Sequence, residues 1–233
     1  MLVAVGSLKG AAGVTTSAVA LAAAWPQPAV LLEADCAGGD LGGWHWLPDS
    51  PGVASLATAC RTGPADLAAH VTPLPCGVAA VIAAAGRVPA TVAVGLLGEA
   101  DPARWAAQRP VIADVGRLEP DSPGGALVAA AAVLLVCTRG DEASLLRLGA
   151  ADLPTHTRVL LVGTSRYRPG EISAWTGLPV AGMVPWDTYA AQVISGRRPP
   201  GRGWTRRGLP AAARAVAAAL TATAPHSQQR SPS

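Results

Sequence analysis

A single lysine stands in the glycine-containing turn SLKGAAGVTTS, and the residues around it have the types needed to bind phosphate. Lys9 is the one lysine in a chain whose Lys and Arg residues number 18 together. Gly10 and Gly13 let the backbone come close to a ligand. Backbone N–H groups in such a turn, and the start of the helix after it, attract anions. Thr15 has a hydroxyl that can coordinate Mg²⁺, so the turn predicts a phosphate site with a metal ion.

Carboxylates follow two apolar segments further along the chain. Asp35 ends AVLLEAD, and Asp114 ends the apolar run of RPVIADVG. In parallel sheets, ligands bind at the carboxyl ends of the strands. We therefore expect Lys9, both aspartates and Thr138 to lie at one edge of a sheet. Glu33, inside LLEAD, is interpreted as a partly buried acid paired with an arginine.

Apolar strands and helices alternate along the whole chain and must position these residues. Strands are predicted at 1–6, 29–35, 77–85, 109–116, 132–139 and 158–165, with a short last strand within 178–187. Helices are predicted between them, beginning with 14–25 and closing with 209–222, while 36–46 is predicted as a loop. Continuous apolar strands indicate burial on both faces. The pattern predicts a doubly wound, mostly parallel sheet with helices on both sides, in a three-layer α/β/α arrangement.

Length and composition fit one domain of this class. The chain has 233 residues, half of them hydrophobic, and we assign 1–222 to the domain and 223–233 to a disordered polar tail. No apolar run reaches the roughly 18 to 20 residues of a membrane span, and the start lacks the layout of a secretory signal. The four cysteines have no CxxC spacing, so reduced thiols are expected rather than a zinc site. These features predict a cytoplasmic protein, either free or peripheral at a membrane or nucleoid.

The turn departs from the ordinary P-loop pattern GxxxxGK[ST]. Aligned on Gly13 and Thr15, Leu8 replaces the first glycine and Val14 replaces the lysine. A charge-assisted hydrogen bond is worth roughly 1.5–3 kcal/mol, so the missing lysine should weaken triphosphate binding roughly 10- to 150-fold.

The displaced lysine gives the chain a resemblance to the MinD/ParA family of deviant Walker ATPases. KGAAGVTT resembles that family's KGGxGKTT, LLEADCAGGDL resembles LLVDxDxxxGDL, and VIADVG resembles its later strand end. AVLLVCTRGDEASLLRL and LPVAGMVPWDTYAAQVISGRRP resemble the family's later segments in the same order, over about residues 1–220. The GGDL and PGVASLATA details look closest to the CpaE/TadZ-like branch. The resemblance implies a P-loop NTPase fold with ATP and Mg²⁺ as cofactors.

The resemblance also implies roles for individual residues. Lys9 would reach across an ATP-sandwiched homodimer to the partner's phosphates, and Val14 leaves the usual Walker position vacant. Thr15 matches the Mg²⁺-ligating hydroxyl and Thr16 a second phosphate contact. Asp35 matches the carboxylate that positions the attacking water.

Further roles concern the metal ion and the base. Asp114 matches the Walker B acid that holds Mg²⁺ through water. Thr164, or its neighbour Ser165, takes the place of the Asn that the family uses to recognise adenine. The loop residues that would contact the nucleotide are Lys9, Gly10, Ala11, Ala12, Gly13 and Val14.

Three functions remain open at this stage. The first is an ATP-dependent dimerising switch, with slow or absent hydrolysis, that positions a machine such as a pilus or secretion apparatus, a division site or a chromosome through an unidentified protein partner. The second is a pseudo-ATPase scaffold that binds no nucleotide. The third is a DNA-binding partition protein that uses the arginine-rich segment 197–207. The aromatic segment GWHW (43–46) fits either local packing or partner docking. A dehydrogenase is not expected, because the first turn has no GxGxxG.

Overall fold

A single eight-stranded sheet runs through the centre of the molecule. In the computed structural model, which describes residues 1–10 and 13–223, the strands are β1 (Leu2–Ser7), β2 (Val30–Glu33), β3 (Thr72–Pro73), β4 (Ala79–Val81), β5 (Val111–Arg117), β6 (Val133–Gly140), β7 (Thr157–Ser165) and β8 (Val180–Val184). Their order across the sheet is β3-β4-β2-β5-β1-β6-β7-β8. All neighbours pair in parallel except β3 and β4. The predicted, mostly parallel sheet is confirmed.

Ten α-helices connect these strands. They are α1 (Val14–Ala24), α2 (Leu41–His45), α3 (Val53–Thr62), α4 (Arg87–Gly98), α5 (Pro102–Gln108), α6 (Gly125–Ala130), α7 (Glu142–Gly149), α8 (Pro169–Thr176), α9 (Thr188–Ile194) and α10 (Gly208–Thr223). That count, like the two short 3₁₀ helices at Leu67–His70 and Trp204–Arg206, refers to the described residues.

The helices form one layer on each face of the sheet. Side chains of α1, α2, α9 and α10 belong to the buried cluster on one face, and those of α3 to α8 belong to the cluster on the other. Along β1, Val3 and Val5 join the first cluster while Leu2 and Ala4 join the second. Successive side chains of a strand point to opposite faces, so burial on both faces explains why the strands are apolar throughout. The predicted three layers are confirmed.

The strand order brings the ends of four strands together at a reversal of direction. From β1 the chain moves outward through β2 to β4, returns through β5 next to β1, and then moves the other way through β6, β7 and β8. Such reversals open a crevice at the carboxyl ends of the strands. The ends of β1, β2, β5 and β6 all lie at this crevice.

Some local predictions were wrong. The loop predicted at 36–46 contains helix α2, and the strand predicted at 77–85 is paired only over Ala79–Val81. Sequence analysis also missed α9 and the antiparallel strand β3. The tail prediction falls mostly on residues 224–233, which lie outside the described residues. Among the described residues, no helix has both the length and the apolar character that crossing a bilayer requires.

Candidate functional site

The turn between β1 and α1 is shaped by two glycines with left-handed backbones. Gly10 has φ 74° and Gly13 has φ 70°, a region that other residues enter only with strain. The N–H of Gly10 donates to Oγ of Ser7 at 3.0 Å, which ties the turn to the end of β1. The predicted nucleotide contacts Ala11 and Ala12 lie outside the described residues.

Helix α1 begins with one apolar and two hydroxyl side chains. Val14 is only 7% exposed and belongs to the buried cluster on the α1 face of the sheet. The position that a lysine occupies in an ordinary P-loop is therefore a core position in this chain. Thr15 and Thr16 are half-buried, and Thr16 lines a small cavity of about 160 Å³ together with Val162 and Trp186.

Asp114 is the most unusual titratable group in the site. It is 1% exposed, and its Oδ1 accepts a hydrogen bond from the N–H of Gly116 at 3.0 Å. Among the described residues, its Oδ2 is buried with no hydrogen-bond partner, although the Thr15 hydroxyl lies near enough to lower the pKa. Burial dominates and raises the pKa of Asp114 to about 7, helped by the charges of Glu33 and Asp35. Burial without a counter-charge disfavours the ionised form.

Asp35 lies against the same backbone turn as Asp114. The register pairs Glu33 with Asp114, so the ends of β2 and β5 are adjacent. A Cβ atom at Gly116, which has φ 62°, would overlap the carboxylate of Asp35. Oδ1 of Asp35 also accepts from the N–H of Ala37 at 2.8 Å. The structure thus brings the two predicted aspartates together at the crevice.

Glu33 has a different role from the one expected. It is buried without any arginine, and its carboxylate accepts three backbone N–H groups: those of Asp40 at 2.7 Å, Leu41 at 2.9 Å and Ala83 at 2.9 Å. Burial raises the pKa of Glu33, while these hydrogen bonds lower it. The expectation of an ion pair was wrong because backbone donors satisfy the charge. Glu33 instead holds the loop after Asp35.

The Asp114 and Thr15 pair fits a magnesium ion. Mg²⁺ prefers oxygen ligands and usually keeps several waters, with only one or two protein ligands. The unpartnered Oδ2 of Asp114 beside a threonine hydroxyl offers such oxygens, and a cation there would compensate a charge that is otherwise buried alone. Within the described residues, no group of three or more His, Cys, Asp or Glu could hold a metal.

Lys9 and Thr164 line neighbouring cavities, which share Arg139 and Asp141. Lys9 is exposed and lines a cavity of about 350 Å³ with the end of β6 and the start of α7. Thr164 is exposed and lines a cavity of about 580 Å³ with Arg166 and Trp186. Ser165 is occupied locally, since its Oγ accepts from the N–H of Tyr167 at 3.1 Å.

Comparison with known proteins identifies the architecture. No protein-family model matches the sequence, and no curated protein matches it. Solved structures do match over nearly the whole chain. A ParA family ATPase from Chlorobium tepidum TLS is 18% identical with a TM-score of 0.69, covering 93% of this chain and 98% of the other. The cell division ATPase MinD of Pyrococcus furiosus is 15% identical with a TM-score of 0.71, covering 95% and 98%.

A third structure, the septum site-determining protein MinD of Pyrococcus horikoshii OT3 in complex with Mg-ADP, is 15% identical with a TM-score of 0.70, covering 94% of this chain and 95% of the other. The chain has the MinD/ParA fold. The resemblance drawn from KGAAGVTT and the later segments is thereby confirmed at the level of the fold. Placement in the CpaE/TadZ-like branch stays a prediction.

Three residues near the MinD/ParA-type turn were missed by sequence analysis. Trp186 is 67% exposed and lines both the cavity of Thr16 and that of Thr164. Arg139 and Arg147 line the cavity of Lys9. No local pattern marks these residues, because β6, α7 and the end of β8 meet the turn only through the sheet order.

The two predicted surface features have defined positions in the MinD/ParA fold. In GWHW, Trp44 packs against the core, His45 Nε2 bonds to the carbonyl of Ile194 at 2.9 Å, and Trp46 is 94% exposed. Local packing is therefore confirmed for Trp44 and His45, and partner docking by Trp46 stays a prediction. The arginines of 197–207 are all exposed, and Arg198 stacks over the ring of Tyr189.

Proposed function

We propose that this protein is a nucleotide-dependent positioning switch, which binds ATP and Mg²⁺ at the β1–α1 turn and closes as a homodimer. The observation that carries the proposal is the environment of Asp114. In the described residues its Oδ2 is buried without a hydrogen-bond partner, and the Thr15 hydroxyl at the start of α1 lies beside it. Such an oxygen is costly to bury unless a cation or donor meets it. The turn and the helix start supply the anion site that a Mg²⁺-bound phosphate needs.

Each residue of the crevice then has a chemical task. Thr15 and Asp114 would hold Mg²⁺, which would neutralise phosphate charge there. Thr16 and the backbone N–H groups of the turn bind phosphate oxygens. Asp35, fixed against Gly116, orients a water molecule towards the terminal phosphate. Lys9 lies exposed at the turn and reaches the phosphates of a second subunit.

Turnover is expected to be slow or absent. In phosphoryl transfer, catalysis depends on positive groups that stabilise charge developing in the transition state. Val14 is buried and apolar, so one such group is absent from α1. A switch of this kind responds mainly to nucleotide binding rather than to hydrolysis.

The base of the nucleotide would fit in the cavity beside α1. Trp186 and Val162 line the small cavity next to Gly13 and Thr16, and aromatic faces stack on bases. Thr164 lines the adjoining cavity that Trp186 also borders. These groups support binding of a nucleoside triphosphate, with Thr164 in the place of an adenine-recognising residue.

The known structures support the positioning role by analogy. The similar MinD proteins are named for cell division and septum site determination, and one of them holds Mg-ADP. We propose a comparable role here, with a cellular machine such as a pilus or secretion apparatus, a division site or a chromosome as the object positioned.

Calorimetric titration with ATP in the presence and absence of Mg²⁺ tests the nucleotide site. The intact protein should bind Mg-ATP in the micromolar to sub-millimolar range, and Thr15→Val should lose at least tenfold in affinity and most of its dependence on Mg²⁺. Thr62→Val, an exposed threonine on α3, is the matched control and should bind like the intact chain. Binding that is absent in the intact protein would leave the pseudo-ATPase scaffold instead.

A separate observation supports a second candidate function, which is binding to DNA. The five arginines within 197–207 are exposed, and none of them makes an ion pair in the described part of the chain. Basic side chains without acidic partners are free to meet phosphates. Duplex binding should weaken steeply with salt and be lost when Arg197, Arg198, Arg206 and Arg207 are changed to Gln. Binding unaffected by those changes would exclude this use of the segment.

A further inference from the structure

A second cavity adjoins the one that Thr164 and Trp186 line, and the two share Arg139 and Asp141. It measures about 350 Å³ and is enclosed by the end of β1, the end of β6 and the first turns of α7. Lys9, Arg139 and Arg147 all line it. These residues come from three different elements, and the parallel pairing of β1 with β6 is what brings them together.

None of the positive groups of this cavity forms an ion pair in the described part of the chain. In residues 1–10 and 13–223 there are two ion pairs, Arg117 with Glu119 and Arg166 with Glu142, and neither involves a cation of the cavity. Three like charges around one concave space raise the local potential and attract anions.

The one acid in the cavity wall is already engaged. Oδ1 of Asp141 accepts from the N–H of Ser144 at 3.0 Å, and Oδ2 accepts from its hydroxyl at 2.9 Å. These bonds cap α7, and together with the more distant charge of Arg139 they lower the pKa of Asp141. Asp141 therefore carries a full negative charge but holds the helix start rather than an arginine, and the wall keeps an excess of two positive charges.

The cavity also lies beside the start of α1, where position 14 has no cation. Lys9 and Gly10 belong both to the turn and to the cavity wall, while Val14 removes the cation that α1 would otherwise present. Arginine's planar group binds phosphate oxygens in a bidentate manner. A phosphate held at the turn would meet arginines from β6 and α7 instead of a lysine from α1.

We propose that Arg139 and Arg147, which line a cavity together with Lys9, bind phosphate within one subunit. The ligand is either the terminal phosphate of a nucleotide on the turn, in which case the inference rests on the proposed function, or a separate phosphate compound. In both cases Arg139 and Arg147 supply from the β6 side the positive charge that position 14 lacks.

Titration calorimetry with Mg-ATP, Mg-ADP and inorganic pyrophosphate tests the cavity. The variants are Arg139→Gln, Arg147→Gln and the double change, at about 150 mM salt, where exposed charges are screened beyond about 8 Å. Arg104→Gln is the matched control, because Arg104 is an exposed arginine on α5, next to the opposite end of β1. All three arginines are exposed, so the variants should unfold at the same temperature as the intact chain.

The two phosphate sources give different results. If the cavity holds the terminal phosphate of a nucleotide, the double variant loses at least tenfold in affinity for ATP and less than threefold for ADP. If it holds a separate phosphate compound, pyrophosphate binding is lost in the double variant while ATP affinity is unchanged.

The outcomes also separate this inference from the nucleotide switch. Pyrophosphate binding that depends on the arginines, in a chain that binds no nucleotide, would support the cavity and refute the switch. ATP and pyrophosphate binding that is the same in the double variant as in Arg104→Gln would overturn the cavity and leave the switch intact. An intact chain that binds none of the three ligands would overturn both.

Discussion

At the scale of residues, the burial of the Asp114 carboxylate has a consequence for its protonation. Its Oδ2 has no hydrogen bond in the structure, and burial raises the pKa of the group to about 7. In the unfolded chain the same carboxyl titrates near 4. Between about pH 4 and pH 7, Asp114 is therefore protonated in the folded protein and ionised in the unfolded chain, unless a cation compensates the charge.

The pH dependence of the stability of Asp114→Asn tests the cost of burying this charge. Because the folded state binds the extra proton, the contribution of Asp114 to the free energy of unfolding is largest below about pH 4 and falls as the pH rises to about 7. At pH 8 without Mg²⁺, Asp114→Asn should be more stable than the intact chain, by up to about 4 kcal/mol. Urea unfolding of both proteins from pH 4 to 8 measures the difference, and identical pH slopes would contradict the pKa of about 7.

Changing Glu33 to Gln tests the loop that follows Asp35. The carboxylate accepts hydrogen bonds from three backbone N–H groups. In glutamine, an NH₂ group replaces one of the two oxygens and cannot accept a hydrogen bond from the N–H that faces it. An unsatisfied buried group costs about 1–3 kcal/mol, so Glu33→Gln should lower the free energy of unfolding by about that amount. Glu119→Gln, at an exposed acid, is the control in urea unfolding. Equal stability of the two variants would show that the N–H groups find other acceptors.

At the scale of elements, close backbone approaches hold the strand ends in place. Gly116 ends the buried run of β5 with φ 62°, and the carboxylate of Asp35 occupies the space where a side chain would be. Gly140 at the end of β6 lies against Ser165 at the end of β7 in the same way. The crevice therefore depends on glycines at strand ends as much as on the acidic residues.

Changing Gly116 to Ala should separate the two aspartates. A left-handed backbone costs a residue with a Cβ roughly 1–2 kcal/mol, and Asp35 must also move away. We expect a loss of stability of at least that size and weaker Mg-ATP binding. Gly125→Ala on α6 is the control, because a Cβ there meets nothing within 4 Å and alanine favours helix. Thermal unfolding and calorimetry measure both effects, and an undisturbed Mg-ATP affinity would show that Asp35 does not need its present position.

At the scale of the whole molecule, the exposed position of Lys9 is compatible with contact to a second subunit. We expect Mg-ATP to double the sedimenting mass of the intact protein. Lys9→Ala should remain monomeric at the same nucleotide occupancy, and Arg104→Gln should dimerise normally. Sedimentation velocity at saturating Mg-ATP measures this. A dimer of Lys9→Ala as stable as that of the intact chain would remove Lys9 from the interface.

Much of the architecture could be predicted from the sequence because its causes are local or repetitive. Continuous apolar strands separated by helices require a sheet buried on both faces, and the glycines of the first turn predict a tight backbone turn whatever the rest of the chain does. The order of KGAAGVTT, LLEADCAGGDL and VIADVG also sufficed to indicate the fold.

Short elements could not be predicted in the same way. Helix α2 spans five residues, too few to show a helical period, and its start is fixed by Glu33 through backbone donors. The interpretation of Glu33 as one half of an ion pair failed for the same reason, since backbone N–H groups leave no trace in a sequence.

By itself, then, the sequence determined the class of fold, the glycine turn after β1 and the aspartates at the strand ends, because each depends on residue types at nearby positions. Only the tertiary structure decided that Asp114 keeps an unpartnered oxygen, that Val14 is a core residue, and that Arg139 and Arg147 join Lys9 around one cavity. These facts depend on which strands become neighbours in the sheet. Strand order is set by packing over the whole chain, so it brings together residues that lie more than a hundred positions apart.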